Sequence, residues 1–140
     1  MNRSPTGYRG NMLGSGPRTD AGAFTVDEDH LDSGTVVLAV HGDVDLHVAG
    51  DLDDRLSEVI DDGAPAVVLD LSATTFLDSM ALGVLLGAMK RLRARGGRLR
   101  VVVPRPDIRR IFEVTLLDRV FELDRSREEA LLAASQRAGS

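Results

Sequence analysis

The chain has 140 residues, of which 43% are hydrophobic and 28% charged, a balance typical of a single globular domain. It contains no cysteine, which excludes a disulfide framework, a thiolate metal site and a cysteine nucleophile, and which fits a reducing cytoplasm. The formal net charge of −5 argues against non-specific nucleic-acid binding, because such binding depends on cations that face the phosphates.

Both ends of the chain differ in composition from its centre. Residues 1–21 are rich in Gly, Ser, Arg and Pro, which predicts a disordered tail, and we expect the same of residues 137–140. One domain is therefore expected over residues 22–136. The N-terminus has no apolar core of signal-peptide length, and residues 79–89 are too few for a membrane span of roughly 20 residues. We expect a cytoplasmic protein with no membrane contact.

The first half of the domain predicts two strands, a helix and a third strand. Residues 23–29 are consistent with a short edge strand, and the β-branched residues 35–41, bounded by glycines, predict a second strand. An amphipathic helix follows and ends at the sequence DDGAP. Its apolar face has the i, i+4, i+7, i+8 spacing, at Leu52, Leu56, Val59 and Ile60. Residues 66–71, AVVLDL, predict a strand covered on both faces.

The second half continues the same alternation. A helix after Asp78 ends in a basic turn and two glycines, which suit a helix C-terminus. Its apolar positions are Leu82, Leu85, Leu86, Met89 and Leu92. A strand over 98–104 precedes a helix that opens with Pro106 and places Ile108, Ile111, Phe112 and Thr115 together. A short strand at 120–123 and a helix from about Ser126 complete the chain.

The order of these elements predicts the fold class. Strands and helices alternate, and the connections are long enough for parallel crossovers. We expect a single small α/β domain with a mostly parallel central sheet of about four to five strands and about four helices.

The stretch FLDSMALGV places an acid and a serine where a strand turns into a helix. Asp78 is a good N-cap, and Ser79 would then be the first helical residue, exposed near the positive end of the helix dipole. Sites often form at this edge of an α/β sheet. On position alone the serine is a cap residue, a nucleophile or a target for modification.

The nucleophile hypothesis meets two objections. A nucleophile elbow requires glycine two residues before and after the serine, and Leu77 and Ala81 occupy those positions. No histidine follows Ser79, so a triad in the order of the hydrolases is unavailable. We therefore predict no catalytic residues and no enzymatic activity.

Two further clusters contain residue types that are common in metal sites and nucleic-acid sites. His41, Asp43, Asp45 and His47 alternate like four metal ligands, but neighbouring side chains on one strand face lie about 6.6 Å apart and cannot converge on one ion. We expect a loop and no metal. The basic run 90–100 lacks aromatics that stack on bases, so we expect a solvated patch, with contact to an acidic protein surface left open.

Four segments together resemble a known family in their order and spacing. They are GDVDLHVAGDL (42–52), VVLDLSATTFLDSMALGVLLGAMKRLRARGG (67–97), PDIRRIFEVTLL (106–117) and SREEAL (126–131). From about Val36 to Leu132 the chain resembles the STAS domain, specifically the anti-sigma factor antagonists. Two departures stand out: Met80-Ala81 replaces the usual Ser or Thr followed by Gly, and Leu116 stands where the family often has Gly.

The resemblance implies a partner-switching role in bacterial transcription and stress responses. Such antagonists bind an anti-sigma factor that is also a serine kinase and thereby release a sigma factor. The kinase phosphorylates the serine after the aspartate, here Ser79, which weakens binding, and a PP2C-type phosphatase restores it. The domain itself carries out no catalysis and holds no cofactor, since ATP belongs to the partner. The alternative is a non-phosphorylated STAS scaffold or transport accessory.

The resemblance also implies a binding surface around Ser79. Its expected residues are Gly42, Asp43, Asp45, Asp78, Ser79, Met80 and Val84. Asp43 and Asp45 could equally serve as loop and capping residues. Met80 could instead select a different partner as an adaptable apolar contact. We expect the protein to be a monomer or a weak dimer.

Overall fold

The computed structural model describes residues 23–136, so the predicted tails at 1–21 and 137–140 lie outside the described residues. The strands are β1 (Thr25–His30), β2 (Val36–Val44), β3 (Ala66–Asp70), β4 (Thr74–Leu77), β5 (Arg98–Val102) and β6 (Glu122–Asp124). The helices are α1 (Ala49–Asp61), α2 (Ser79–Ala94), α3 (Pro106–Val114) and α4 (Arg127–Ser135), with a 3-10 turn at Leu117–Arg119.

The sheet is mixed but mostly parallel, which confirms the predicted α/β class. Its strand order is β1-β2-β3-β5-β6, and only β1 runs antiparallel to its neighbour. The short strand β4 pairs in parallel with the second half of β2. The helices α1 and α2 pack against each other and cover one face, whereas α4 packs on β3, β5 and β6 across the other.

The main core lies between the sheet and the α1–α2 layer. All four residues predicted for the apolar face of α1 are buried there, and so are four of the five predicted for α2, Leu86 being half-buried. β3 is buried along its whole length: Val67 and Leu69 enter the main core, while Val68 enters a small second core under α4. Within residues 23–136 no helix is long and apolar enough to cross a membrane.

The structure differs from the sequence prediction at several strand boundaries; the strand predicted at 98–104, for example, ends at Val102. β2 continues past residue 41 to Val44, because Gly42 adopts a φ of 89° and the pairing with β4 shifts register between Gly42 and Asp43. The strand predicted at 120–123 begins at Glu122, since the chain first forms the 3-10 turn after α3.

The strand β4 was not predicted at all. Its four residues show neither alternation nor a continuous apolar run, since Thr74 and Leu77 are buried and the two residues between them are exposed. The strand forms because the chain turns after β3, where the Thr74 amide donates to the Leu71 carbonyl at 3.0 Å. The Gly42 amide then donates to the Ala73 carbonyl at 3.0 Å, which brings this turn against β2.

Candidate functional site

The pairing of β4 with β2 brings two distant parts of the sequence together. Asp43 lies opposite Phe76, and Val44 lies opposite Leu77. One residue further on, the Asp78 amide donates to the Val44 carbonyl at 3.3 Å. The loop that follows β2 therefore lies beside the start of α2, as the predicted binding surface requires.

Asp78 and Ser79 occupy the positions that the sequence predicted for them. Asp78 is the N-cap of α2, with extended backbone, and its carboxylate accepts from the Ala81 amide at 3.0 Å. Ser79 is the first helical residue and is exposed. The helix behind it is anchored in the main core by Leu82 and Leu85. The serine is thus presented on a fixed backbone and is open to another protein.

The two loop carboxylates have local hydrogen-bond partners. Asp43 accepts from the Thr75 hydroxyl at 2.6 Å, which ties the end of β2 to β4. Asp45 accepts from the His47 amide at 2.9 Å, and its carbonyl accepts from the Ala49 amide at the start of α1. Both residues therefore order the loop, and both remain partly exposed beside it.

Three large apolar side chains are exposed on the segments that meet at the start of α2. Met80 is 57% exposed, Leu46 in the loop after β2 is 61% exposed, and Phe76 on β4 is 45% exposed. Large apolar side chains this open are candidates for contact with another protein. Of the three, only Met80 was singled out from the sequence. Leu46 and Phe76 could have been noticed as large apolar residues in segments that were predicted to be turns.

Two of the predicted binding residues lie deeper than expected. Gly42 is buried, so it shapes the loop through its positive φ and offers no surface of its own. Val84 is half-buried and packs against the main core, which leaves part of its side chain on the exposed face of α2. The open part of the predicted surface thus consists of the loop carboxylates, Asp78, Ser79, Met80 and part of Val84.

The remaining polar clusters are engaged in structural contacts. His41 lies on β2 with its Nε2 3.2 Å from an Asp27 oxygen, while Asp45 orders the loop. Among residues 23–136 no group of three or more His, Cys, Asp or Glu side chains is placed to hold a metal ion. Several arginines of the basic run have intramolecular partners: Arg91 donates to Ser57, Arg95 to a carbonyl of α1, and Arg100 to Asp124.

Comparison with known proteins identifies the family. The family model described as the STAS domain matches residues 28–130. The chain belongs to the STAS domain family. The match includes the sheet from Glu28 onward, all of α1 to α3, and the capped turn at Ser79.

Several solved structures resemble this chain over most of its length. An anti-sigma factor antagonist from Mycobacterium paratuberculosis has 32% identity and a TM-score of 0.77, covering 84% of this chain and 98% of its own. The antagonist SpoIIAA in its unphosphorylated form has 26% identity and a TM-score of 0.63, covering 82% of this chain and 100% of its own. The Bacillus cell fate determinant SpoIIAA in its phosphorylated form has 28% identity and a TM-score of 0.60, covering 78% of this chain and 96% of its own.

Proposed function

We propose that this STAS protein is an anti-sigma factor antagonist that binds an anti-sigma factor with serine-kinase activity, and that phosphorylation of Ser79 releases it. The observation that carries the proposal is an exposed serine directly after the aspartate cap of α2 in a STAS fold. Its solved neighbours support the class, since they are antagonists and one of them is known in unphosphorylated and phosphorylated forms.

The chemistry around Ser79 suits a switch that acts on binding. A phosphate adds about −1.5 to −2 charges at neutral pH, next to the Asp78 carboxylate and among exposed apolar side chains. A partner that buries Met80 or Phe76 would have to desolvate that charge. The domain itself is expected to stay folded, because Ser79 is exposed and the phosphate gains from the N-terminal end of the helix dipole.

In this role the protein is a ligand and no enzyme. The kinase partner supplies ATP, and a PP2C-type phosphatase restores the unmodified serine. The loop carboxylates Asp43 and Asp45, fixed by Thr75 and by the start of α1, would contact the same partner beside Met80. We place this exchange in the cytoplasm, where the sigma factor that is released acts in transcription and stress signalling.

The phosphorylation step is tested with the kinase that co-purifies with the protein from its native cells. Incubation with ATP followed by mass spectrometry should show one added phosphoryl group, located at Ser79. Ser79→Ala should abolish the gain, whereas Ser135→Ala, the same change at an exposed serine at the end of α4, should keep it. A phosphoryl gain that survives Ser79→Ala would remove Ser79 as the acceptor.

The binding step is tested by titrating the same partner with variants that mimic the two states. Ser79→Asp should weaken binding at least tenfold, which corresponds to about 1.4 kcal/mol. Ser79→Asn, similar in size and neutral, should bind much like the wild type. Equal affinity for Ser79→Asp and the wild type would instead favour the alternative, a constitutive STAS scaffold in which Met80 selects the partner.

A further inference from the structure

The sheet face that carries α4 is only half covered by the described elements. α4 packs on β3, β5 and β6, where Val68, Val102 and Ala130 form the second core. The neighbouring half, formed by β1 and β2, is left as an open groove of about 390 Å³. Its walls include Asp27 and Asp29 on one side and Asp70 with Arg127 on the other. This groove lies outside the surface proposed for the anti-sigma factor.

Carboxylates dominate the charge of this groove. Asp27 and Asp29 alternate along β1 and therefore project to the same face of the sheet, opposite Ala39 and Val37 of β2. The Asp27 side chain is 77% exposed. Across the groove, Asp70 is neutralised by the Arg127 guanidinium at 2.9 Å. Apart from that pair, the groove is lined by two carboxylates, Asp27 and Asp29, and by His41, whose Nε2 lies 3.2 Å from an Asp27 oxygen, so its net charge is negative.

The chain enters the described structure at one end of this groove. Thr25, the first residue of β1, pairs with His41, which itself lines the groove. Residues 1–22 precede this point and lie outside the part that matches the STAS family. They carry three arginines, Arg3, Arg9 and Arg18, against a single acidic residue, Asp20, a net charge of +2. A cationic segment is thus tethered at the mouth of an anionic groove.

We propose that residues 1–22 dock into this groove of their own chain, with their arginines facing Asp27 and Asp29. Arg18 precedes Thr25 by seven residues, and seven extended residues span at most about 25 Å, so the chain can fold back along β1. The segment contains few apolar residues, so charge supplies the attraction. Each exposed ion pair is weak, but a short covalent tether gives an effective concentration in the millimolar range. This inference does not depend on the role of Ser79.

Paramagnetic relaxation in the full-length protein tests the docking. Because the chain has no cysteine, Ser15→Cys creates a unique position for a nitroxide label between Arg9 and Arg18. At low salt, amide peaks of Asp27, Ala39 and Ala73 should lose about half of their intensity, as expected for a weak but populated ion-paired state. The amide of Lys90, at the exposed surface of α2 in the other layer, should be unaffected.

Variants with matched charge changes test whether the groove carboxylates cause the loss of amide intensity. Asp27→Asn combined with Asp29→Asn should reduce the intensity loss to the lower level that an undocked tether produces, and salt near 1 M, where the Debye length is about 3 Å, should give that same level. Asp61→Asn with Asp62→Asn removes the same charge at the end of α1 and should leave the effect intact. Uniform relaxation across the domain, or an intensity loss that the β1 substitutions do not diminish, would overturn the proposal. An effect transferred from labelled to separately isotope-labelled chains would assign the segment to a second copy and would also overturn it.

Discussion

Leu116 is the residue with the least favourable backbone conformation in the described chain. It follows the C-cap of α3 with φ 63° and ψ 17°, the left-handed region that favours glycine, and its side chain is 58% exposed. Its amide still donates to the Glu113 carbonyl at 3.0 Å, which closes the helix end. The structure thus explains why the sequence pattern of the family often has glycine here.

Replacement of Leu116 by glycine should therefore stabilise the protein. Relief of the left-handed strain should raise the free energy of unfolding by about 1 kcal/mol, since little packing is lost from an exposed side chain. Urea denaturation measures the change. Leu116→Ala is the matched control, because it removes the same side chain and keeps the strain. Equal stability of the two variants would show that the backbone conformation is not the cause.

At the residue scale, the sequence predicted those features that depend only on residues close together in the chain. The cap at Asp78, the exposure of Ser79 and the buried positions of α1 follow from spacing within a few residues. The bond from Thr75 to Asp43 was not predictable in this way, because it joins residues 32 apart in the sequence and requires β4. The binding role of the predicted residues around Ser79 stays a prediction.

Gly87 lies within α2 and Gly97 follows it, and the two differ in the space available for a side chain. A Cβ on Gly87 would meet no atom within 4 Å, whereas one on Gly97 would lie 3.1 Å from the Pro65 carbonyl oxygen. Gly87→Ala should stabilise the protein by about 0.5–1 kcal/mol through helix propensity. Gly97→Ala should destabilise it, since backbone must move. Thermal unfolding of both variants checks the opposite signs, and stabilisation by both would refute the packing argument.

The attachment of α4 to the sheet depends on Asp70, whose ionisation gives a second prediction. Burial alone would raise the pKa of Asp70, but hydrogen bonds from Ser72 and Arg127 outweigh it and hold the pKa below its ordinary value. The stabilisation is therefore present above the unfolded pKa of about 4 and is lost as the pH falls through the lower folded value.

Urea unfolding of the wild type should show this loss as the pH falls below the unfolded pKa of about 4. In Arg127→Gln the pKa of Asp70 should rise, so its contribution should be lost at higher pH. Asp70→Asn cannot titrate and should lack this part of the acid sensitivity. An unchanged acid profile in both variants would show that the contact does not contribute.

At the element scale, periodic segments were predicted well and short ones poorly. β3 and the helices α1, α2 and α3 carry clear apolar patterns, and the structure confirms them within a few residues. β4 and β6 have four and three residues, so their boundaries depend on turns and on partner strands. The extension of β2 through Gly42 likewise depends on a neighbour that the sequence did not reveal.

The whole molecule has two cores of unequal size, which predicts unequal local stability. The main core lies under α1 and α2, whereas the second core contains four buried residues, only one of which, Ala130, belongs to α4. Amide hydrogens of α4 should therefore exchange faster than those of α2 by sub-global opening. Native-state hydrogen exchange measured residue by residue checks this order. Equal protection of the two helices would mean that α4 unfolds only with the whole domain.

The strand order has a consequence for how the chain assembles. In the strand order β1-β2-β3-β5-β6, each strand after β1 pairs with a strand that precedes it in the chain. The strand β4 adds to the free half of β2. No strand has to be inserted between two that are already paired. The sheet can therefore grow from the N-terminus by edge addition as the polypeptide leaves the ribosome. The turn between β4 and α2, which carries Ser79, can form once β2 is available to pair with β4.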